Sequence, residues 1–149
     1  MKENDMELKI KKIRDNAILP TRGDSESAGI DLYACIDEPL YLHADKSAMI
    51  PTGIACEFPE GYFGLMLPRS SVGVKKKLAL LNTAGVIDNS YRGEIMMVFV
   101  NNNNHTQVIE PGDRLAQLIL LPYVVYDIIE TDTLTDTERG EGGFGSTGK

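Results

Sequence analysis

The sequence has little of what a disulfide scaffold or a zinc site requires. Of its 149 residues only two are cysteine and two are histidine. Cys35 and Cys56 lie in separate apolar segments, which favours two buried thiols over a disulfide or a metal pair. His43 and His105 are too few and too scattered to complete a zinc site with them. We therefore expect a protein of a reducing compartment, the cytoplasm.

Long apolar segments and an excess of basic residues are also missing. The longest apolar run surrounds residues 118–122, far short of the roughly 20 residues of a membrane span. Residues 1–16 are polar and charged, unlike a secretory signal. Lys and Arg number 15 against 22 Asp and Glu, a net charge of −7. This balance argues against nucleic acid as a partner, and the lack of a spanning segment argues against a membrane. A phosphorylated ligand would need local cations or a metal ion.

What the sequence does contain is a succession of short apolar runs separated by turn signals such as Glu-Pro-Gly-Asp at residues 110–113. Several runs alternate apolar and polar residues, as half-buried strands do. This pattern predicts an all-β fold, a jelly roll or distorted barrel. One short helix is predicted over residues 71–78, capped by Ser70 or Ser71. The predicted strands are 6–11, 30–35, 39–43, 48–58, 62–67, 78–82, 93–101, 106–109, 113–122 and 123–130.

The apolar pattern stops at Thr131, and the last ten residues are rich in glycine. We therefore predict a β domain over residues 1–130 and a mobile arm over residues 131–149. Composition alone favours a disordered end. The functional interpretation is a phosphate grip, in which glycine backbone, Arg139 and two hydroxyls bind phosphate while Phe144 stacks on a base.

Two internal segments combine polar side chains with a predicted turn. Residues 68–73 read Pro-Arg-Ser-Ser-Val-Gly, which is either a phosphate cradle or a simple helix start. Residues 85–95 hold two apolar runs joined by a polar turn, which predicts a hairpin with an exposed stretch at residues 89–90. Asp88 in that turn either closes an Asx turn or orients and deprotonates a water.

Two further segments place charges beside predicted strands. Asp31 in Ala-Gly-Ile-Asp-Leu either holds a hydrated Mg²⁺ or bonds a local turn. Residues 112–117 place Asp113 in a turn and Arg114 and Gln117 on a strand, where their side chains are either functional or simply solvated.

Taken in order, the five segments resemble the five motifs of the trimeric deoxyuridine triphosphatases (dUTPases), from AGIDLYA at Ala28 to GGFGST at Gly142. The resemblance implies a β jelly roll and a homotrimer whose active sites lie between subunits and are closed by the glycine-rich tail. The implied reaction is dUTP + H₂O → dUMP + pyrophosphate, which limits uracil in DNA and supplies dUMP for dTMP synthesis.

The resemblance also implies roles for individual residues. Asp88 would activate the water that attacks the α-phosphorus, and Ser70 would bond the phosphate chain. Mg²⁺ would be chelated by the triphosphate, with Asp31 reaching it through a water. Tyr91 would pack under the deoxyribose, and Asp113 and Arg114 would support folding and subunit contacts. The other implied substrate contacts are Arg69, Ser71, Asn82, Gly85, Val86, Ile87, Met97, Gln117, Arg139, Phe144, Gly145, Ser146 and Thr147.

Three other functions remain open at this point. A dCTP deaminase of the same superfamily would need a catalytic glutamate near the Arg69–Ser70 segment, and none is evident. A nucleotide-sensing regulatory protein would use the same scaffold without needing Asp88 for catalysis. A β-rich structural domain would bind no nucleotide.

Overall fold

The computed structural model describes residues 6–143, which form twelve short strands and one helix. The helix, α1 (Ser70–Val74), follows the seventh strand. The strands are β1 (Lys9–Lys12), β2 (Thr21–Arg22), β3 (Gly29–Tyr33), β4 (Leu40–Leu42), β5 (Ser47–Pro51), β6 (Ile54–Glu57), β7 (Tyr62–Pro68), β8 (Leu78–Leu80), β9 (Gly85–Ile87), β10 (Met96–Asn101), β11 (Gln107–Ile109) and β12 (Arg114–Pro122).

The strands pair antiparallel in four sheets. The largest has the order β2-β3-β12-β7-β9, and a second has the order β5-β10-β8. The pairs β1-β6 and β11-β4 complete the set among the described residues. Strands distant in sequence are neighbours, since β12 lies between β3 and β7, so the chain crosses repeatedly from sheet to sheet. The predicted all-β jelly roll with one short helix is confirmed.

The inward faces of the sheets form one apolar core. On β10, Met97 and Phe99 are fully buried while Met96 and Val98 point outward, as the period of two requires. Ile50 of β5 lies opposite Met97 in the register and is also fully buried. The described residues contain no helix long and apolar enough to cross a membrane.

The structure divides one predicted strand and omits another. The run 48–58 is broken between β5 and β6 by Gly53, which has a φ of 70°. A Cβ at Gly53 would lie 2.6 Å from the Sγ of Cys35, so only glycine fits this turn. The predicted strand 123–130 is wrong for the single chain, because no strand of the described chain pairs with it; its apolar side chains are exposed, Ile128 to 91%.

Two predictions around the presumed site are also wrong. The helix is shorter than predicted and its N-cap is Arg69, with no side-chain cap bond from Ser70 or Ser71. The chain leaves it through Lys77, whose φ of 49° turns it into β8. Residues 85–95 form no hairpin, because β9 pairs with β7 whereas β10 pairs with β5 and β8. The segment instead carries the chain from one sheet to the other.

Candidate active site

A pocket of about 240 Å³, which we call the β9 pocket, lies beside the edge strand of the largest sheet. Gly85 and Ile87 of β9 are buried, whereas Val86 is exposed. A Cβ at Gly85 would lie 2.8 Å from the Cε of Met66, so glycine lets β9 approach β7 closely. The pocket brings together six of the predicted site residues: Asn82, Gly85, Val86, Ile87, Asp88 and Tyr91.

Asp88 stands exposed at the end of β9, beside a firmly anchored neighbour. The Nδ2 of Asn89 donates to the carbonyl oxygens of Pro59 and Tyr62, at 2.8 Å each. The expectation of an exposed stretch therefore holds for Ser90 but is wrong for Asn89, which is half-buried. Asn89 fixes the backbone on which the Asp88 carboxylate is carried. Asp88 also borders an adjoining, mostly apolar cavity of about 430 Å³.

The ring of Tyr91 is held by the turn that follows it. Its hydroxyl donates to the main-chain oxygen of Glu94 at 2.9 Å, and its N–H donates to the oxygen of Asp88 at 3.0 Å. A Cβ at Gly93 would overlap the ring, so glycine lets the ring lie against the backbone. Tyr91 therefore forms a preset wall of the β9 pocket.

Met97 does not belong to this pocket, which corrects its inclusion as a substrate contact. Its side chain is fully buried in the core, because inward and outward residues alternate along β10. The neighbouring Met96 lines the pocket instead.

A second pocket, of about 310 Å³, lies where β3, β12 and α1 meet, and we call it the Asp31 pocket. Gln117 of β12 is paired with Asp31 of β3, and Ser70 begins α1 directly after β7. Four predicted site residues line it together: Asp31, Arg69, Ser70 and Gln117. A Cβ at Gly29 would lie 2.9 Å from the Oε1 of Gln117, so glycine leaves room for that amide.

The carboxylate of Asp31 is buried and shared between two arginines. Its Oδ1 lies 2.9 Å from the Nε of Arg69, and its Oδ2 lies 3.2 Å from the Nη1 of Arg114. Arg114 was expected to support folding and subunit contacts, and the structure adds this bond beside the pocket. Two cations against one carboxylate leave a local positive charge, which offsets the overall net charge of −7 and suits an anionic ligand.

The Asp31 pocket fits a cation that keeps its own waters better than a closed metal cage. Asp31 is the one carboxylate among the residues lining it, and residues 6–143 contain no group of three His, Cys, Asp or Glu that could hold a metal. Mg²⁺ is commonly held by one or two carboxylates, water and substrate phosphates. The residues present are compatible with that mode.

Several predicted contacts are not brought to either pocket. Ser71 is exposed on α1, and the Nε of Arg139 donates to the oxygen of Gly142 at 2.8 Å in a local turn. Phe144, Gly145, Ser146 and Thr147 lie outside the described residues. The β9 pocket and the Asp31 pocket share no lining residue, so Asp88 and Ser70 line different pockets of the chain.

Some lining residues were missed from the sequence. Gly23 and Ser27 line the Asp31 pocket; Ser27 immediately precedes the Ala28 motif, which was a usable signal. Met66 and Glu94 line the β9 pocket. Glu94 lies within the segment 85–95, but its contacts with Arg14, 80 residues away, and with the N–H of Gly53 show why it is fixed.

Comparison with known proteins places the chain in one family. A sequence model of the dUTPase family matches residues 15–148. A protein of Hydrogenobaculum sp. (strain Y04AAS1) named deoxyuridine 5'-triphosphate nucleotidohydrolase is 40% identical over 96% of this chain and 99% of its own length. One of the same name from Paraburkholderia xenovorans (strain LB400) is 43% identical, covering 97% of this chain and 98% of its own length.

Solved structures give the same result for the fold. The dUTPase of Staphylococcus bacteriophage 80alpha, solved with dUPNHPP, superposes with a TM-score of 0.87 at 29% identity, covering 96% of this chain and 99% of its own. A mutant dUTPase of phage phi11 of S. aureus, described with a structural Mg(II) ion, gives 0.79 at 26% identity, covering 87% and 99%. The sequence match and the fold agree, and the chain belongs to the dUTPase family.

Proposed function

We propose that this protein is a dUTP diphosphatase, which hydrolyses dUTP to dUMP and pyrophosphate. The observation that carries the proposal is the β9 pocket, in which an amide, a carboxylate and a tyrosine ring converge on a space suited to a pyrimidine nucleoside. The activity would limit uracil in DNA and supply dUMP for dTMP synthesis. Family membership supports the same reaction.

Asp88 is our candidate for the general base. It is exposed at the pocket, and no salt bridge within residues 6–143 involves it, so its carboxylate is available to accept a proton from water. The activated water would attack the α-phosphorus in line with the leaving pyrophosphate. Such a displacement depends mainly on positioning and on neutralised charge.

The Asp31 pocket is our candidate for the phosphate chain. The arginine at its wall, Arg69, would pair with phosphate oxygens, while the Ser70 hydroxyl and the Gln117 amide would donate hydrogen bonds. Mg²⁺, chelated by the triphosphate and reached by Asp31 through a water, would supply charge neutralisation. Arg139, Gly145, Ser146 and Thr147 of the arm 131–149 would close over the phosphates, with Ser71 nearby and Phe144 stacked on uracil.

The β9 pocket would select the nucleoside. Asn82 and the backbone of Gly85, Val86 and Ile87 would bond the uracil edge, and a cytosine would leave buried groups unpaired. Tyr91 would lie against the deoxyribose and obstruct a 2'-hydroxyl.

We also propose that the chain acts as a homotrimer with sites between subunits. One chain keeps the base-side and phosphate-side residues in pockets with no shared residue, so a site completed by a neighbour would unite them. The sheet β5-β10-β8 supports association, because Met49 and Val98 on its outward face, and the exposed Leu81 directly after β8, are apolar although the inner face already covers the core. A sheet apolar on both faces is normally covered on both. The two free buried thiols support a cytoplasmic setting.

The test is pyrophosphate release from dUTP, dTTP, dCTP and UTP with Mg²⁺ present. We expect rapid release from dUTP alone, and loss of turnover in Asp88→Ala with unchanged circular dichroism. Light scattering should give three times the chain mass. Ammonia release from dCTP would instead identify a deaminase, and nucleotide binding without hydrolysis would identify a sensor; either result would refute the proposal.

A further inference from the structure

The Glu94 carboxylate, at the edge of the β9 pocket, accepts three hydrogen bonds that fix its position. The Nε and Nη2 of Arg14 donate to its Oε1 and Oε2 at 2.7 and 2.8 Å. The N–H of Gly53 donates to Oε1 at 2.9 Å. The Glu94 side chain is only 16% exposed. A two-pronged arginine contact with a third donor fixes both the position and the plane of the carboxylate.

The main chain around Glu94 is fixed from the same side. The N–H of Ile95 donates to the oxygen of Ile54 at 2.9 Å, and the Thr52 hydroxyl donates to the oxygen of Ile95 at 2.7 Å. The N–H of Ile13, next to Arg14, donates to the oxygen of Gly53 at 2.8 Å. The N-terminal segment, the turn at Gly53 and residues 94–95 therefore lock together.

Glu94 contacts Tyr91 through the main chain. Its carbonyl oxygen accepts the Tyr91 hydroxyl at 2.9 Å, and Gly93 lies directly against the ring. A shift of residue 94 would therefore move the ring that forms the wall of the β9 pocket.

We infer that Arg14 and Glu94 form a clamp that sets the Tyr91 ring at the angle that excludes a 2'-hydroxyl, so both are positioning residues for sugar discrimination. The inference rests on the proposed function and extends it to a residue, Arg14, that lies outside both pockets. The Tyr91 ring excludes a 2'-hydroxyl only if it cannot move away from the sugar, and the clamp prevents that movement.

The test compares kcat/KM for dUTP and UTP in the full-length chain and in Arg14→Ala, Glu94→Ala and Glu94→Gln. We expect the dUTP/UTP ratio to fall about tenfold, a size typical of pocket discrimination, with a higher KM for dUTP and a nearly unchanged kcat. Combining Tyr91→Phe with Glu94→Ala should add little to Tyr91→Phe alone, because both break the same connection. Arg14→Lys should restore part of the ratio.

The matched control is Lys9→Ala, which removes a 2.7 Å ion pair with Glu57 on β1 and β6. Its ratio should equal that of the unaltered chain. If Arg14→Ala and Glu94→Ala lower the melting temperature but keep the ratio, the pair merely fastens the N-terminal segment and the inference is wrong. Calorimetric affinities for dUMP and UMP give a separate measure of sugar discrimination without turnover, and their ratio should fall in the same variants. If the unaltered chain leaves dUTP intact, the proposed function is refuted. If dUTP is cleaved but the dUTP/UTP ratio does not change in Arg14→Ala and Glu94→Ala, only the clamp inference is refuted.

Discussion

Asp31 and Arg69 form an ion pair at the wall of the Asp31 pocket, with 2.9 Å between Oδ1 and Nε, and Arg114 binds the other carboxylate oxygen. The carboxylate thus aims the guanidinium that we assign to phosphate. A residue proposed to reach a metal ion through water also orients the neighbouring cation.

Replacing this carboxylate should therefore affect both stability and turnover. In Asp31→Asn the two arginines lose the negative charge with which both pair, and we expect the free energy of unfolding in urea to fall by about 1–3 kcal/mol. With Arg69 misplaced, kcat/KM for dUTP should fall by roughly a hundredfold. Arg114→Lys keeps both positive charges but loses the guanidinium geometry, so its stability and turnover should lie between those of Asp31→Asn and the unaltered chain. A native-like Asp31→Asn in both assays would contradict this role.

The side chain of Asn89 should be essential for stability, whereas that of the next residue, Ser90, should not. Asn89→Asp places a carboxylate against the carbonyl oxygens of Pro59 and Tyr62, and we expect a loss of about 2 kcal/mol in the free energy of unfolding. Turnover should fall as well, because the backbone beside Asp88 loosens. Ser90→Ala is the matched control: Ser90 is exposed, and its stability should change by no more than about 0.5 kcal/mol.

Removing residues 139–149 should separate catalysis from folding. Among the described residues the core uses no side chain beyond Leu120, so the melting temperature should barely change. Pyrophosphate release should fall strongly, because the proposed phosphate grip and the stacking Phe144 are lost. Normal turnover by the truncated chain would show that the arm has no catalytic part.

Cys56 should make the fold sensitive to alkali. Burial raises the pKa of its thiol to about 11. Because the unfolded thiol loses its proton first, near pH 9, the contribution is complete below that pH and is lost as the pH rises towards 11. The loss should reach roughly 2–3 kcal/mol at the upper end. Urea midpoints at pH 7, 9 and 10.5 measure it, and Cys56→Ala should show a weaker decline; equal declines would contradict the assignment.

The sequence predicts best those structural features that depend on residues close together along the chain. Alternation along β10 and β12 identifies strands because inside and outside repeat every two residues. The segment around Asp88 and Tyr91 is recognisable because its residues line one pocket from one stretch of chain.

Contacts between distant segments were not predicted. Arg114 meets Asp31 across 83 positions, and nothing in the local pattern of either segment indicates that pairing. Helix α1 ends at Val74, and Lys77 then turns the chain into β8. The family resemblance implies Met97 as a substrate contact, whereas the alternation along β10 buries its side chain in the core. The predicted strand at 123–130 has the composition of a strand but no partner strand among residues 6–143.

The outer surface of β5-β10-β8 has a consequence for how the protein behaves on dilution. The side chains of Met49 and Leu81 are more than half exposed in a single chain. Keeping this apolar surface in water costs free energy, which disfavours the separated chains. In the proposed homotrimer, mass action would couple association to thermal stability, and we expect the melting temperature to rise with protein concentration.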